Sequence, residues 1–299
     1  MSSESKTLEE IAQNEASGKK DSNLKMTLRR LVHNRLALVG GIIFILLCLM
    51  AVFAPVIAPY HYSTIDLAPK FSAPSLQHLF GTDQYGRDIF SRVVYGSRWS
   101  ISMGLSAAVV SLVGGTTIGI LAGYCGGWID TLVMRIIDII QCIPNILLTI
   151  CIATALGNTF FNTVIAMSFS GMWGIVRLVR SQSIHVRMQQ YVEAATATNN
   201  PPPRIMLRHI LPNAIQPAII NTCMGIGATI SLAASLSFIG LGIQPPLPEW
   251  GAMLNDGREV MRYHPFVLAA PGIMIMLTVL SIGLLGDGLR DAMDPRMKT

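Results

Sequence analysis

The sequence predicts an all-α polytopic membrane protein with about six transmembrane helices, and three observations carry that prediction. Hydrophobic residues make up 51% of the 299 and charged residues 13%, about half the charge of a typical soluble domain, and the mean hydropathy is +0.50. Apolar stretches begin near Leu36, Trp99, Leu132, Phe160, Pro217 and Phe266, each close to the roughly 20 residues that cross a hydrocarbon core of about 30 Å. Lysine and arginine fall unevenly between them. With the N-terminus inside, sixteen of the 22 lie in cytoplasmic segments and six in outer loops, the bias that keeps cationic loops in the cytoplasm. Both termini are therefore expected inside, in a multi-pass protein of the cell (cytoplasmic) membrane. This topology accounts for the net charge of +5 through contact with membrane lipid, and no nucleic acid partner is implied.

Residues 1–25 are rich in Ser, Glu and Lys, too polar to offset ordering entropy by burial, and read as a disordered cytoplasmic tail. Arg29, Arg30 and Arg35 then lead into an apolar run from Leu36 to Pro59. It exceeds the roughly 7–15 residues of a signal-peptide core and lacks a clear cleavage site, so it is expected to remain as an anchor span. With the outer loop that follows, it forms a unit over 26–98. Residues 99–290 hold the remaining spans, with a cytoplasmic loop at 179–213, and 291–299 form a short cytoplasmic tail.

Within this core, Gly115, Gly119, Gly123 and Gly127 recur every fourth residue, a small-residue face that lets a second helix approach closely. The third span contains Arg135 and Asp138. Three apart on a helix, they are placed to pair, which lowers the cost of charges near the apolar core; a structural ion pair is expected there, with a kink at Pro144. Ser168, Ser170 and Gly171 interrupt the fourth span, so five or seven spans stay open beside six.

Several chemistries find no support. No GxxxxGK[ST] phosphate loop occurs, the nearest approach being Gly18-Lys19-Lys20 in the polar tail, so ATP has no cradle on this chain. There is no HExxH and the six histidines are scattered, so no metal or cofactor site and no catalytic group is expected. The segment Gly283 to Asp287 misses the spacing of intramembrane aspartyl proteases. Five cysteines without CxxC spacing read as buried apolar groups.

The polar stretch YVEAATATNNPPPRIMLRHILPN, Tyr191 to Asn213, lies between two apolar spans. Tyr191 to Thr198 is Ala-rich and suits a compact helix. Asn199 and Asn200 end it, Asn being tolerant of a left-handed turn, and Pro201-Pro202-Pro203 cannot continue it. Arg204 to Ile210 resumes before Pro212. The pattern is helix, elbow, helix, fitted either to a groove on a partner or to the membrane surface.

Glu193-Ala194-Ala195, followed by His209-Ile210-Leu211-Pro212, resembles the "EAA" loop of importer-type ABC permeases. A second set of landmarks narrows the family. His78-Leu79-Phe80-Gly81-Thr82-Asp83 with Gly86-Arg87-Asp88, the third-span set Asp130, Arg135, Asp138 and Pro144, Leu236 to Gly242 with Glu249-Trp250-Gly251, and Gly286 to Arg296 resemble dipeptide, oligopeptide and nickel permeases of the "C" subunit type. The resemblance runs from about Met26 to Arg296. It implies a type I ABC importer permease fold that forms half of a pathway for di- or oligopeptides, with nickel or another small solute as the rival cargo. The implied partners are a second homologous permease subunit, two cytoplasmic ABC ATPase subunits that bind ATP and Mg, and an extracellular substrate-binding protein. It also implies that Glu193, Ala194, Ala195, Asn199, Leu211 and Pro212 couple the ATPases to the spans; no pathway-lining residue is assigned. Asn199 stands where the family usually has Gly, and the triple proline is a further departure. A stand-alone secondary transporter or a membrane scaffold is the competing class.

Overall fold

A computed structural model describes residues 30–293; the expected tail at 1–25 lies outside the described residues, and of the expected tail at 291–299 the first three residues continue the last helix while 294–299 lie outside. In chain order the helices are α1 (Arg35–Val52), α2 (Ala54–Ile57), α3 (Ile89–Cys125), α4 (Gly127–Gln141), α5 (Asn145–Leu156), α6 (Phe160–Arg187), α7 (Gln190–Ala197), α8 (Pro202–Ile205), α9 (Leu211–Ala214), α10 (Gln216–Phe238), α11 (Trp250–Gly257) and α12 (Phe266–Met293). Among the described residues five of these, α1, α3, α6, α10 and α12, are long and apolar enough to cross a membrane, and α4 with α5 makes a sixth if the bent pair is one span.

Local chemistry sets the ends. Asn34 caps α1 by accepting from the N–H groups of Leu36 (3.1 Å) and Ala37 (3.3 Å). Asp88 caps α3 through Ser91 N–H (2.7 Å), so α3 starts ten residues before the expected Trp99 and carries Arg92 and Arg98 inside the helix. The loop that precedes α3 is tied to that cap. His78 Nδ1 lies 2.9 Å from Asp88 Oδ1, and Asp83 accepts from Tyr85 N–H (2.8 Å), Arg87 N–H (3.0 Å) and Arg87 Nε (2.6 Å). The segment from His78 to Asp88 is thus a folded plug over the end of α3, with Arg87, Asp88 and Arg92 buried. Trp250 is fully buried beside it and donates from Nε1 to Val93 O (3.0 Å). Glu249, also fully buried, caps α11 at Ala252 N–H (2.9 Å) and accepts from Ser100 Oγ (2.9 Å). Burial pushes this carboxyl above its ordinary pKa range while those hydrogen bonds pull the other way.

The centre of the bundle is the pairing of α3 with α6. A Cβ added to Gly115, Gly119 or Gly123 would lie 2.7–2.8 Å from Ile175, Val176 with Val179, and Ser183, respectively. Only glycine allows that approach. Gly127 is not part of this seam: it opens α4 at φ 54° with open space around its Cβ position. Ser168 and Ser170, expected to weaken the fourth span, are buried in α6. Ser168 Oγ donates to Val164 O (2.6 Å) and Ala107 O (3.1 Å), and Ser170 Oγ to Met167 O (3.0 Å), so their polarity is satisfied inside the bundle.

The third span departs from expectation in two ways. The helices α4 and α5 meet at 89°, a break rather than a kink, because Pro144 is extended at ψ 132° and α5 restarts after it. The expected Arg135–Asp138 ion pair is not formed. Asp138 Oδ1 accepts instead from Arg177 Nη2 on α6 (2.6 Å), and Asp130 is bound by both Nε and Nη2 of Arg180. Asp130 and Asp138 lie about 80° apart around α4 at 3.6 residues per turn and face α6, whereas Arg135 lies about 100° from the middle of that stripe and is exposed.

Replacing Gly119 with Leu is expected to force α3 and α6 apart. Overpacking of this kind costs about 1–3 kcal/mol, so the purified variant should unfold at a clearly lower temperature in detergent than the wild type. An unchanged unfolding temperature would show that the two helices are not in backbone contact.

Candidate functional site

Between α6 and α10 the chain builds a compact cassette. Its first helix, α7, ends in a Schellman motif: Asn200 N–H donates to Ala195 O (3.2 Å) and Asn199 N–H to Thr196 O (3.0 Å), with Asn199 at φ 58°. That is the left-handed position usually given to Gly and occasionally to Asn. The Asn200 amide reinforces the turn through Ala195 O and Thr198 Oγ1, both at 3.0 Å. The prolines do not disorder the elbow. Pro201 is the extended N-cap of α8, and Pro202 starts the helix, where a missing N–H costs nothing.

The chain then widens into a π-turn over Met206–Ile210, with Leu211 N–H reaching back five residues to Met206 O. This relieves Pro212, whose ring would clash with the carbonyl four residues before it in a regular α-helix. The second helix of the cassette therefore runs on through Pro212 into α9.

One side of the cassette is core. Val192, Ile205, Ile210 and Ala214 pack in one buried cluster with Ile120 of α3 and Val179 and Val186 of α6. Burying side chains of that size contributes about 1.5–3 kcal/mol each, which fastens the cassette to the α3–α6 pair. The other side is free: Glu193, Ala194, Asn199 and Pro212 are exposed. The six residues implied in coupling therefore divide, since Ala195 is buried and Leu211 packs partly into the same core. The rings of Tyr191 and His209 lie 6.4 Å apart, so the two halves of the cassette meet across the elbow.

Exposed apolar groups Met188, Tyr191 and Leu207 lie in this cassette. Beside α7 runs a groove of about 890 Å³ that includes Tyr124, Asp130, Arg187, Glu193 and Thr196. The guanidinium of Arg187 lies 5.7 Å from the Tyr124 ring centroid. This groove is absent from any linear motif, because its wall comes from α3, α4, α6 and α7 together. Among the described residues no three His, Cys, Asp or Glu side chains group to hold a metal ion.

Residues 115–299 match the family described as "Binding-protein-dependent transport system inner membrane component", and residues 22–74 match the "N-terminal TM domain of oligopeptide transport permease C". The chain is 44% identical over 271 residues to the dipeptide transport system permease protein DppC of Alkalihalophilus pseudofirmus, covering 91% of this chain and 89% of that one. It is 41% identical over 272 residues to the glutathione transport system permease protein GsiD of Pectobacterium atrosepticum, covering 91% and 90%. Its fold is similar to that of the MetNI methionine ABC transporter in an inward facing conformation, with a TM-score of 0.53 and 18% identity over 68% of this chain and 97% of the other.

Replacing Asn199 with Val is expected to strain the elbow by about 1–3 kcal/mol, whereas Gly at the same position should be neutral. Limited proteolysis of the cassette reads the difference: the Val variant should be cut faster, the Gly variant at the wild-type rate. Equal resistance in all three would mean that the left-handed turn is not held in solution.

Proposed function

The chain belongs to the family of binding-protein-dependent transport system inner membrane components, and from that premise we propose that it forms half of the pathway for di- and oligopeptides in an ATP-driven importer. As a permease subunit of an ABC importer it is not itself an enzyme; ATP is hydrolysed on a separate subunit, and the permease works with a binding protein and a second permease. The peptide cargo is carried over from the relatives, named for dipeptide and glutathione transport. The proposed assembly has two cytoplasmic ATPases, a second homologous permease and an extracellular binding protein, with both termini of this chain inside. Residues 26–98 then supply an anchor span, an outer plug and the first turns of α3, and residues 99–290 the pathway half.

One observation carries the coupling role. The cassette presents Glu193, Ala194, Asn199 and Pro212 outward while Val192, Ile205 and Ile210 are buried against α3 and α6. A force applied to the exposed side is delivered to the two central spans without an intervening loop. On this reading ATP closes the ATPases, the cassettes are drawn together, and the spans tip between inward and outward openings, a rocking of rigid bodies. No covalent bond is made on this chain.

Reversing the charge at Glu193 with Lys tests the docked face. A mismatched charge at such a face costs several kcal/mol, so uptake of a labelled dipeptide by vesicles holding the complete transporter should fall by at least about tenfold. ATP hydrolysis and membrane insertion should persist. Wild-type uptake, or failure to insert, would refute the placement of Glu193 against the ATPase.

A further inference from the structure

Between α3, α6 and α10 lies a half-open cavity of about 290 Å³ that none of the coupling residues touches. Its walls come from the middle turns of α3, α6 and α10 and from the start of α5. Not one lining side chain is charged. The polar groups are short and neutral, among them Asn145, Ser170, Asn221 and Thr222. Asn145 and Asn221 are exposed, and the Thr222 hydroxyl is shielded yet has no hydrogen-bond partner. Amides and hydroxyls on spanning helices would be costly facing lipid, so they belong beside water or a polar solute. The wall is also open where two glycines stand: a Cβ on Gly174 or Gly225 would meet nothing within 4 Å, unlike the tight glycines of the α3–α6 seam.

We propose that this cavity is the chain's share of the cargo path and that it engages peptides through their backbone amides. An asparagine side chain presents one acceptor and two donors, the complement of a peptide group's N–H and C=O. With no charge on the wall, acidic, basic and neutral side chains of the cargo pass on similar terms, and charge selection is left to whatever delivers the peptide. The volume falls just below the roughly 300–1,000 Å³ of small-molecule sites, as suits one half of a path completed by a second permease. The inference rests on the peptide-import reading and adds the site and the manner of recognition.

The test uses the complete transporter, with both permeases, the ATPases and the binding protein, reconstituted in vesicles. Uptake of labelled Ala-Ala, Lys-Ala and Asp-Ala is compared for the wild type and for Gly225→Leu, Asn221→Asp and Gly283→Leu. The last is a control on α12, where a Cβ also meets nothing within 4 Å and no wall of the cavity is involved. Gly225→Leu should assemble normally and lower uptake of all three peptides by roughly tenfold or more, as a plugged path does, while Gly283→Leu imports as the wild type does. Asn221→Asp should favour Lys-Ala over Asp-Ala by roughly fivefold, the signature of a charge introduced into a neutral lining.

Uptake at wild-type rates and ratios in both cavity variants would overturn the placement. Loss of assembly with the second permease in those variants would also overturn it, assigning this face to the subunit interface. A wild-type complex that hydrolyses ATP but imports none of the three peptides would defeat the peptide reading itself, and this inference with it.

Discussion

The close approach of α3 and α6, made possible by Gly115, Gly119 and Gly123, is the constraint on which the placement of the cassette and of α4 depends. With side chains at these positions the two helices would stand farther apart, and the cluster uniting Ile120, Ile175, Val179 and Val186 with the cassette would open. The far end of α3 is held separately, by the Asp88 cap and by Trp250. The α3–α6 pair also sets the face on which α4 docks, since Arg177 and Arg180 of α6 bind Asp138 and Asp130. These last contacts differ in weight. The Asp138–Arg177 pair is about half exposed and adds at most about 1 kcal/mol, whereas Asp130 is more enclosed and bound at both oxygens.

A stiff centre with a fastened cassette is what the proposed mechanism requires. Transmission over the length of a span needs an element that moves as one body, because a soft joint would absorb the displacement. The Schellman turn at Asn199, the proline start of α8 and the π-turn before Pro212 each remove a place where the cassette would otherwise bend. The neutral cavity lies between the same helices, so a tilt of α3 and α6 relative to α10 changes its shape directly.

Most of the span pattern was legible because lipid demands long apolar helices, and the segments beginning near Leu36, Phe160, Pro217 and Phe266 start within one residue of the observed helices. The start of α3 was hidden because Arg92 and Arg98 look like loop residues until their surroundings are known; Arg92 is buried by the plug. Asp138 was paired with the wrong arginine for a similar reason. Sequence spacing reveals neighbours on one helix, and Arg177 lies 39 residues away on another. The elbow was legible at Asn199, where residue chemistry and backbone geometry coincide, but not at Pro212, since the π-turn that accommodates it depends on packing on both sides. The inward turn of Ala195 and the cavity were beyond reach, as both are defined only once several helices are assembled.

The central claim is that the cassette moves together with α3 as one rigid body. In a chain freed of its native cysteines, spin labels at Ala197 on the cassette and Val109 on α3, both exposed, report the distance between these elements within the complete transporter. The account predicts that this distance stays within about 1 Å when ATP is trapped, while the distance from Ala197 to the matching cassette of the second permease shortens. A change of several ångströms between Ala197 and Val109 would mean that the cassette swings on its own, and that the α3–α6 pair is not the lever.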